Sequence, residues 1–149
     1  MPTLAINPRA RYDYEILDTY EAGVVLIGQE VKAIKRGSIS LKGAYVAIRN
    51  NEAWLINAQV SPYQPKNTPA DYDSTRSRKL LLHKSEIKEL IGKTKQKGLT
   101  LTPIRVYTKQ NQIKLEFGLG RGKRKSDKRE KIKKRETQRK INRALKEWF

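Results

Sequence analysis

The chain has no cysteine. Disulfide staples, thiol catalysis and cysteine-based zinc sites are therefore excluded. Its one histidine, His83, lacks the H-E-x-x-H spacing of a metalloenzyme. Set between the apolar run 80–82 and a helix start, it reads as a structural imidazole. There is no Walker-type phosphate loop. Gly118-Leu-Gly-Arg-Gly122 is glycine-rich but has no following Lys-Ser/Thr, and it reads as a hinge. No apolar run approaches membrane-spanning length, and the first residues lack the apolar core of a secretory signal. No cofactor, no membrane partner and no enzymatic activity are expected, and a cytoplasmic location is. Asp13, Glu15, Asp18 and Glu21 alternate along a strand and turn as surface charge. Asp71 and Asp73, on a proline-rich loop, leave a metal-dependent nuclease as the enzymatic alternative.

Acids are also scarce. The 149 residues carry 33 Lys+Arg against 15 Asp+Glu, a net charge of +18. A polyanionic partner is the leading expectation, and nucleic acid is the commonest one. The excess is concentrated at one end. From Arg121 onward, 14 Lys+Arg face 4 Asp+Glu, a net of +10, and the first 120 residues carry the remaining +8. This segment has too few apolar residues to offset the entropy of ordering itself. Its composition nonetheless favours helix, with Ile141, Leu145 and Trp148 on one face. The expected organisation is a body over 1–120 and a basic tail over 121–149, disordered when free and helical against a polyanion.

Within the body, alternation predicts a strand over 12–17, a turn at 19–22 and a buried strand over 24–28. A short helix at 30–36 follows, ended by Gly37. Strands at 44–48 and 53–60 flank an Asn50-Asn51 turn. Residues 61–77 form a long proline-rich loop of the kind that is functional or disordered. Ser85 can cap a helix to about 97. Strands at 100–108 and 113–117 turn around Gln110-Asn111, with Ile113, Leu115 and Phe117 inward. The pattern is mainly β. It suggests a small closed antiparallel barrel of the oligonucleotide-binding type, with flanking helices.

Bases interleave with aromatics at Arg9, Arg11, Tyr12 and Tyr14, and again at Tyr63, Tyr72, Arg76 and Arg78. Guanidinium groups reach phosphates and stack on bases, and tyrosine offers a π-face. Glu30 is the exception among these bases. It is either a charge favoured by a helix N-terminus or an acceptor for a base edge.

Three segments then resemble a known family. These are Gly23-Val-Val-Leu-Ile-Gly-Gln-Glu30-Val-Lys32, Arg76-Ser-Arg78-Lys79-Leu-Leu81-Leu-His-Lys84 and Gly118-Leu-Gly-Arg-Gly122-Lys-Arg-Lys-Ser-Asp127-Lys-Arg129-Glu. With Asn7-Pro-Arg9-Ala-Arg-Tyr-Asp-Tyr14 and Ser61-Pro-Tyr63 they look like the SsrA-binding protein (SmpB) family of bacterial trans-translation. The resemblance implies an oligonucleotide-binding-like barrel that binds the tRNA-like domain of tmRNA. Such a protein helps deliver tmRNA, with elongation factor Tu, to stalled 70S ribosomes. It implies a tmRNA-binding face holding Glu30, Leu81 and Lys114, with Asn7, Arg9 and Lys32 beside them. It also implies a tail in the small-subunit decoding centre and empty mRNA channel, carrying Gly122, Lys123, Ser126, Asp127, Lys128, Arg129, Lys133, Lys134 and Arg135. Two positions depart from the family pattern. Ser126 stands where a His or Tyr is usual before Asp-Lys-Arg, and Gly43-Ala44-Tyr45 replaces Asp-Ser-Tyr. A ribosomal protein with a basic extension is the competing reading of the same composition.

Overall fold

A computed structural model of the chain describes residues 2–64, 66, 68–123 and 139. Its elements are β1 (Thr3–Ile6), α1 (Arg9–Asp13), β2 (Tyr14–Val24), α2 (Gly28–Lys35), β3 (Ile39–Ser40), β4 (Tyr45–Arg49), β5 (Glu52–Ile56), β6 (Gln59–Val60), β7 (Arg78–Leu81), α3 (Lys84–Thr94), β8 (Leu99–Lys109) and β9 (Gln112–Gly122).

Local chemistry sets most of the corners. Asn50 and Asn51 both have positive φ (52° and 60°), as do Gln110 and Asn111 (51° and 62°). Two successive left-handed residues make the hairpin turn whose twist matches its strands, joining β4 to β5 and β8 to β9. Helix α2 stops at Gly37, whose φ is +81°. The Gly37 amide donates to Ile34 at 2.8 Å and the Ser38 amide to Ala33 at 3.0 Å, the paired bonds of a glycine-terminated helix. Helix α3 starts at Lys84, with His83 at the capping position. Ser85 is therefore inside the helix. Glu86 does the capping, accepting the His83 amide at 3.2 Å. His83 thus has a local structural place, held through its backbone amide rather than its ring.

The main sheet is antiparallel and seven-stranded, in the order β1-β8-β9-β2-β7-β5-β4, and β3 pairs with β6 separately. The expected closed barrel is corrected here, because hydrogen bonding leaves β1 and β4 as sheet edges. β4 lies against β8. β1 takes the second edge of β8 over Arg105–Tyr107, and no ladder joins β4 to β8. Pro103 sits inside β8, where it can make no ladder donor. The register shifts between Pro103 and Arg105, and such a bulge accommodates proline.

The predicted turn at 19–22 is also corrected: β2 runs unbroken to Val24, paired first with β9 and then with β7. Tyr20 and Ala22 point inward and are buried. The predicted hinge is absent too, because β9 continues through all three glycines. A Cβ on Gly118 would lie 2.9 Å from Ile16 Cγ2, and one on Gly120 would lie 3.0 Å from Tyr14 Cβ. These two glycines permit close packing of β9 on β2. The core gathers Leu55, Leu80, Leu90, Leu101, Val106, Leu115 and Phe117, all 3 % exposed or less. Each large aliphatic side chain buried this way contributes about 1.5–3 kcal/mol.

Candidate RNA-binding surface

The ends of β2 and β7 and the start of β9 meet in an open groove of about 600 Å³, walled by Glu21, Gly23, Val31, Leu81, Gln112 and Lys114 among others. Pairing alone brings them together: Gly23 stands opposite Leu81 on one side and Lys114 on the other. Gly23 keeps the floor low. A Cβ there would lie 3.5 Å from Leu81 and 3.8 Å from the Lys114 ammonium. Leu81 is 55 % exposed, an apolar side chain displayed rather than buried.

Glu21 supplies the groove's fixed acceptor. Its Oε2 accepts from the hydroxyl of buried Tyr107, and its Oε1 accepts from Lys109 Nζ at 3.3 Å. The tyrosine hydrogen bond, ahead of the Lys109 contact, holds the Glu21 carboxyl below its ordinary value against a burial penalty. Burial, then Glu21 itself, pushes Tyr107 above its own ordinary value. Near neutral pH the pair is one carboxylate and one protonated phenol, aimed and charged. An acceptor, an ammonium and an exposed leucine suit a nucleic acid, through a base amino group, a phosphate and an apolar sugar or base face respectively.

Of the residues named from sequence, Leu81 and Lys114 share this groove. Glu30 does not face solvent at all. Its side chain is fully buried against Arg78, also fully buried, and against Arg76, 38 % exposed. Glu30 Oε1 accepts the Ile27 amide at 3.0 Å and Arg76 Nη2 at 2.5 Å. Its Oε2 accepts Arg78 Nε at 2.8 Å and Nη2 at 2.5 Å. Arg78 spends its remaining donors on the carbonyls of Ala58, Arg76 and Ser74. Burial alone would raise the Glu30 carboxyl. The Ile27 amide and the two guanidinium groups outweigh it and hold the group below its ordinary value. Of the two readings of Glu30, the helix N-terminal one holds. It does serve the helix start, but no base edge can reach it; it locks α2 to the end of the long loop and fixes Arg76.

Asn7 and Arg9 line a different groove of about 730 Å³, together with Lys42, Tyr45 and Thr102. Asn7 is a corner post there, its amide donating to the Pro103 carbonyl at 2.9 Å. Arg9 pairs with Asp13 at 3.4 Å and lies over Tyr12. Lys32 is exposed on α2, next to the groove residue Val31. Gly122 is the last residue of β9, opposite Tyr14. Lys123 is tied to the body, its amide donating to Asp13 O at 2.9 Å and its ammonium to Arg11 O at 2.8 Å. Ser126, Asp127, Lys128, Arg129, Lys133, Lys134 and Arg135 lie outside the described residues. Among the described residues no group of three metal-capable side chains occurs, and no helix is long and apolar enough to cross a membrane.

Glu21 and Tyr107 are missing from the sequence-based set. They lie 86 residues apart, and nothing local marks either. Only the pairing of β2 with β9, and of β9 with β8, brings them together.

A family model described as SmpB protein matches residues 4–147. An SsrA-binding protein of Thermosynechococcus vestitus is 49 % identical, covering 97 % of this chain and 95 % of the relative. One from Gloeothece citriformis is 51 % identical over 95 % of this chain and 92 % of its own. Among solved structures, one described as "tmRNA-SmpB: a journey to the center of the bacterial ribosome" superposes with a TM-score of 0.68 at 43 % identity. It covers 89 % of this chain and 95 % of that one.

Proposed function

The chain belongs to the SmpB family, and on that premise we propose that it is a non-enzymatic RNA-binding adaptor of trans-translation. It binds the tRNA-like domain of tmRNA and delivers it, with elongation factor Tu held through the tmRNA, to 70S ribosomes stalled without a stop codon. The work is done in the cytoplasm. The observation that carries this reading is the groove in which Glu21, Leu81 and Lys114 converge around Gly23. A fixed acceptor, a cation and a displayed apolar side chain within one concave surface match an RNA fold better than a small substrate.

The body, 1–120, acts as an oligonucleotide-binding-like module even though its ladder is open. Glu30 contributes by holding Arg76, and Lys32 and Arg9 extend the positive surface. The tail of 121–149, from residue 124 onward where it leaves β9 and the Lys123 bonds, enters the decoding centre and the mRNA channel once mRNA has left. A channel lined with phosphates attracts a segment carrying 12 Lys+Arg against 4 Asp+Glu, a net charge of +8, through counterion release. Occupancy of that channel by mRNA would exclude the tail, so a stalled ribosome is sensed by vacancy. Ordering on arrival makes binding conditional on the vacant channel. Lys125 or Arg124 substitutes for the stacking contact that Ser126, without a ring, does not make.

Recovery of the tagged protein from growing cells, followed by sequencing of the bound RNA, tests the reading. One abundant RNA of tmRNA type is expected. Ribosomal RNA in one-to-one amount and no tmRNA would overturn it in favour of a resident ribosomal protein.

A further inference from the structure

The outer face of α2 carries an arrangement that the groove does not use. Lys32, Lys35 and Arg36 stand at i, i+3 and i+4, so they share one helix face, and all three are exposed. Tyr63, in the loop after β6, reaches this face. Arg36 Nη2 donates to the Tyr63 hydroxyl at 3.0 Å, and the Arg36 guanidinium carbon is 4.3 Å from the ring centroid. Together these contacts hold the guanidinium over the ring. Lys32 Nζ stands 5.7 Å from the same centroid. The ring is half-buried and packs against the core, so the platform has a firm backing.

The charges here are not spent on carboxylates. Lys79, Lys93, Arg105 and Lys109 each pair with an acid. Lys32, Lys35 and Arg36 pair with none among the described residues. A cation on an aromatic ring is common in proteins and is worth little when exposed. Here it occurs with the ammonium groups of Lys32 and Lys35, neither paired with an acid among the described residues, and with a guanidinium already held over a ring. That combination suits an unpaired base and its flanking phosphates, because guanidinium planes stack on bases and ammonium groups bind phosphate.

We propose that Arg36, backed by Tyr63, stacks one unpaired base of the bound RNA, while Lys32 and Lys35 hold the phosphates beside it. This rests on the RNA-binding reading above and adds a contact outside the groove. The probe is a transcript of the tRNA-like domain of tmRNA, titrated with the full chain in a filter-binding assay over a range of KCl concentrations. Arg36→Ala should weaken binding about 5- to 100-fold, the size of one lost stacking contact. Arg36→Lys keeps the charge but loses the plane, and should remain at least about fivefold weaker. Tyr63→Phe keeps the ring but removes the hydroxyl that Arg36 Nη2 donates to, and should bind more weakly than the wild type but less weakly than Arg36→Ala. Lys32→Gln should lower the slope of log affinity against log salt by about one. Circular dichroism and thermal melting confirm the fold of each variant, and Arg36→Lys, an exposed change, needs no core adjustment.

Wild-type affinity in Arg36→Ala or Arg36→Lys overturns the stack, and the groove reading survives if Leu81→Ala still weakens binding in the same assay. A wild-type chain that does not bind the transcript overturns both.

Discussion

Replacing Glu30 by Gln removes one charge from a site sealed from water and tests whether that charge is structural. Glu30 and Arg78 both have fully buried side chains. Four donors converge on the carboxylate, two on each oxygen. A glutamine offers one carbonyl oxygen in place of two. Its amide group must then face either Arg78 or the Ile27 and Arg76 donors, and the Arg78 charge loses its counterion in either orientation. Breaking a buried pair by removing one partner costs about 3–5 kcal/mol. Domains of this kind are stable by about 5–15 kcal/mol, so a large share would go. For a chain of this length each kcal/mol moves Tm by about 2–4 °C, and the expected fall is about 6–20 °C by calorimetry. The pH dependence carries a sign as well. The folded Glu30 carboxyl is held below its ordinary 4.5. Its stabilisation is therefore fully present above that pH and lost as pH falls through the lower, folded value. Wild-type stability should drop on acidification below about pH 4.5, and the difference between wild type and Glu30→Gln should shrink. A loss under 1 kcal/mol at neutral pH, or a difference that grows in acid, would refute the reasoning.

Other expectations follow from single contacts. Gly120→Ala should destabilise by about 1–3 kcal/mol in urea, because the added Cβ meets Tyr14 Cβ at 3.0 Å and the Glu15 carbonyl at 3.3 Å, neither of which can swing away. Tyr107→Phe deletes the hydrogen bond that most lowers the Glu21 carboxyl. An NMR titration should find the Glu21 pKa higher than in the wild type; an unchanged value would remove Tyr107 from the groove's electrostatics. Leu81→Glu should leave stability within about 0.5 kcal/mol, since the side chain is 55 % exposed. It should still cut affinity for the tRNA-like domain more than about tenfold, by placing a second carboxylate where RNA must approach.

Local chemistry was legible in the sequence and long-range pairing was not. The Asn50-Asn51 and Gln110-Asn111 turns and the Gly37 helix end follow from residue type alone, and the structure has all three. The inward set Ile113, Leu115 and Phe117 follows from alternation and is buried. Thr19 to Ala22 looks like a turn only until β9 is laid beside it. Gly118 and Gly120 look loose until Ile16 and Tyr14 fill the space above them. Of the candidate surface, Leu81 and Lys114 were legible through family resemblance. Glu30 stands out in the sequence as an acid among bases, but its partners are 46 and 48 residues away. No periodicity connects them, so its burial could not be read in advance. Glu21 is surface charge in the structure as it is in the sequence reading, but its link to Tyr107, on a strand two ladders away, has no sequence signal.

The central claim is that the body grips the RNA and the tail acts on the ribosome. The bonds from Lys123 to Asp13 and Arg11 show where to cut: after residue 123, so that β9 stays whole. The decisive measurement compares that shortened chain with the full one in two assays, affinity for the tRNA-like domain and tagging of nascent chains on stalled ribosomes. The account predicts affinity within about threefold of the full chain, with tagging abolished. Lost RNA affinity, or tagging that survives the cut, would contradict it.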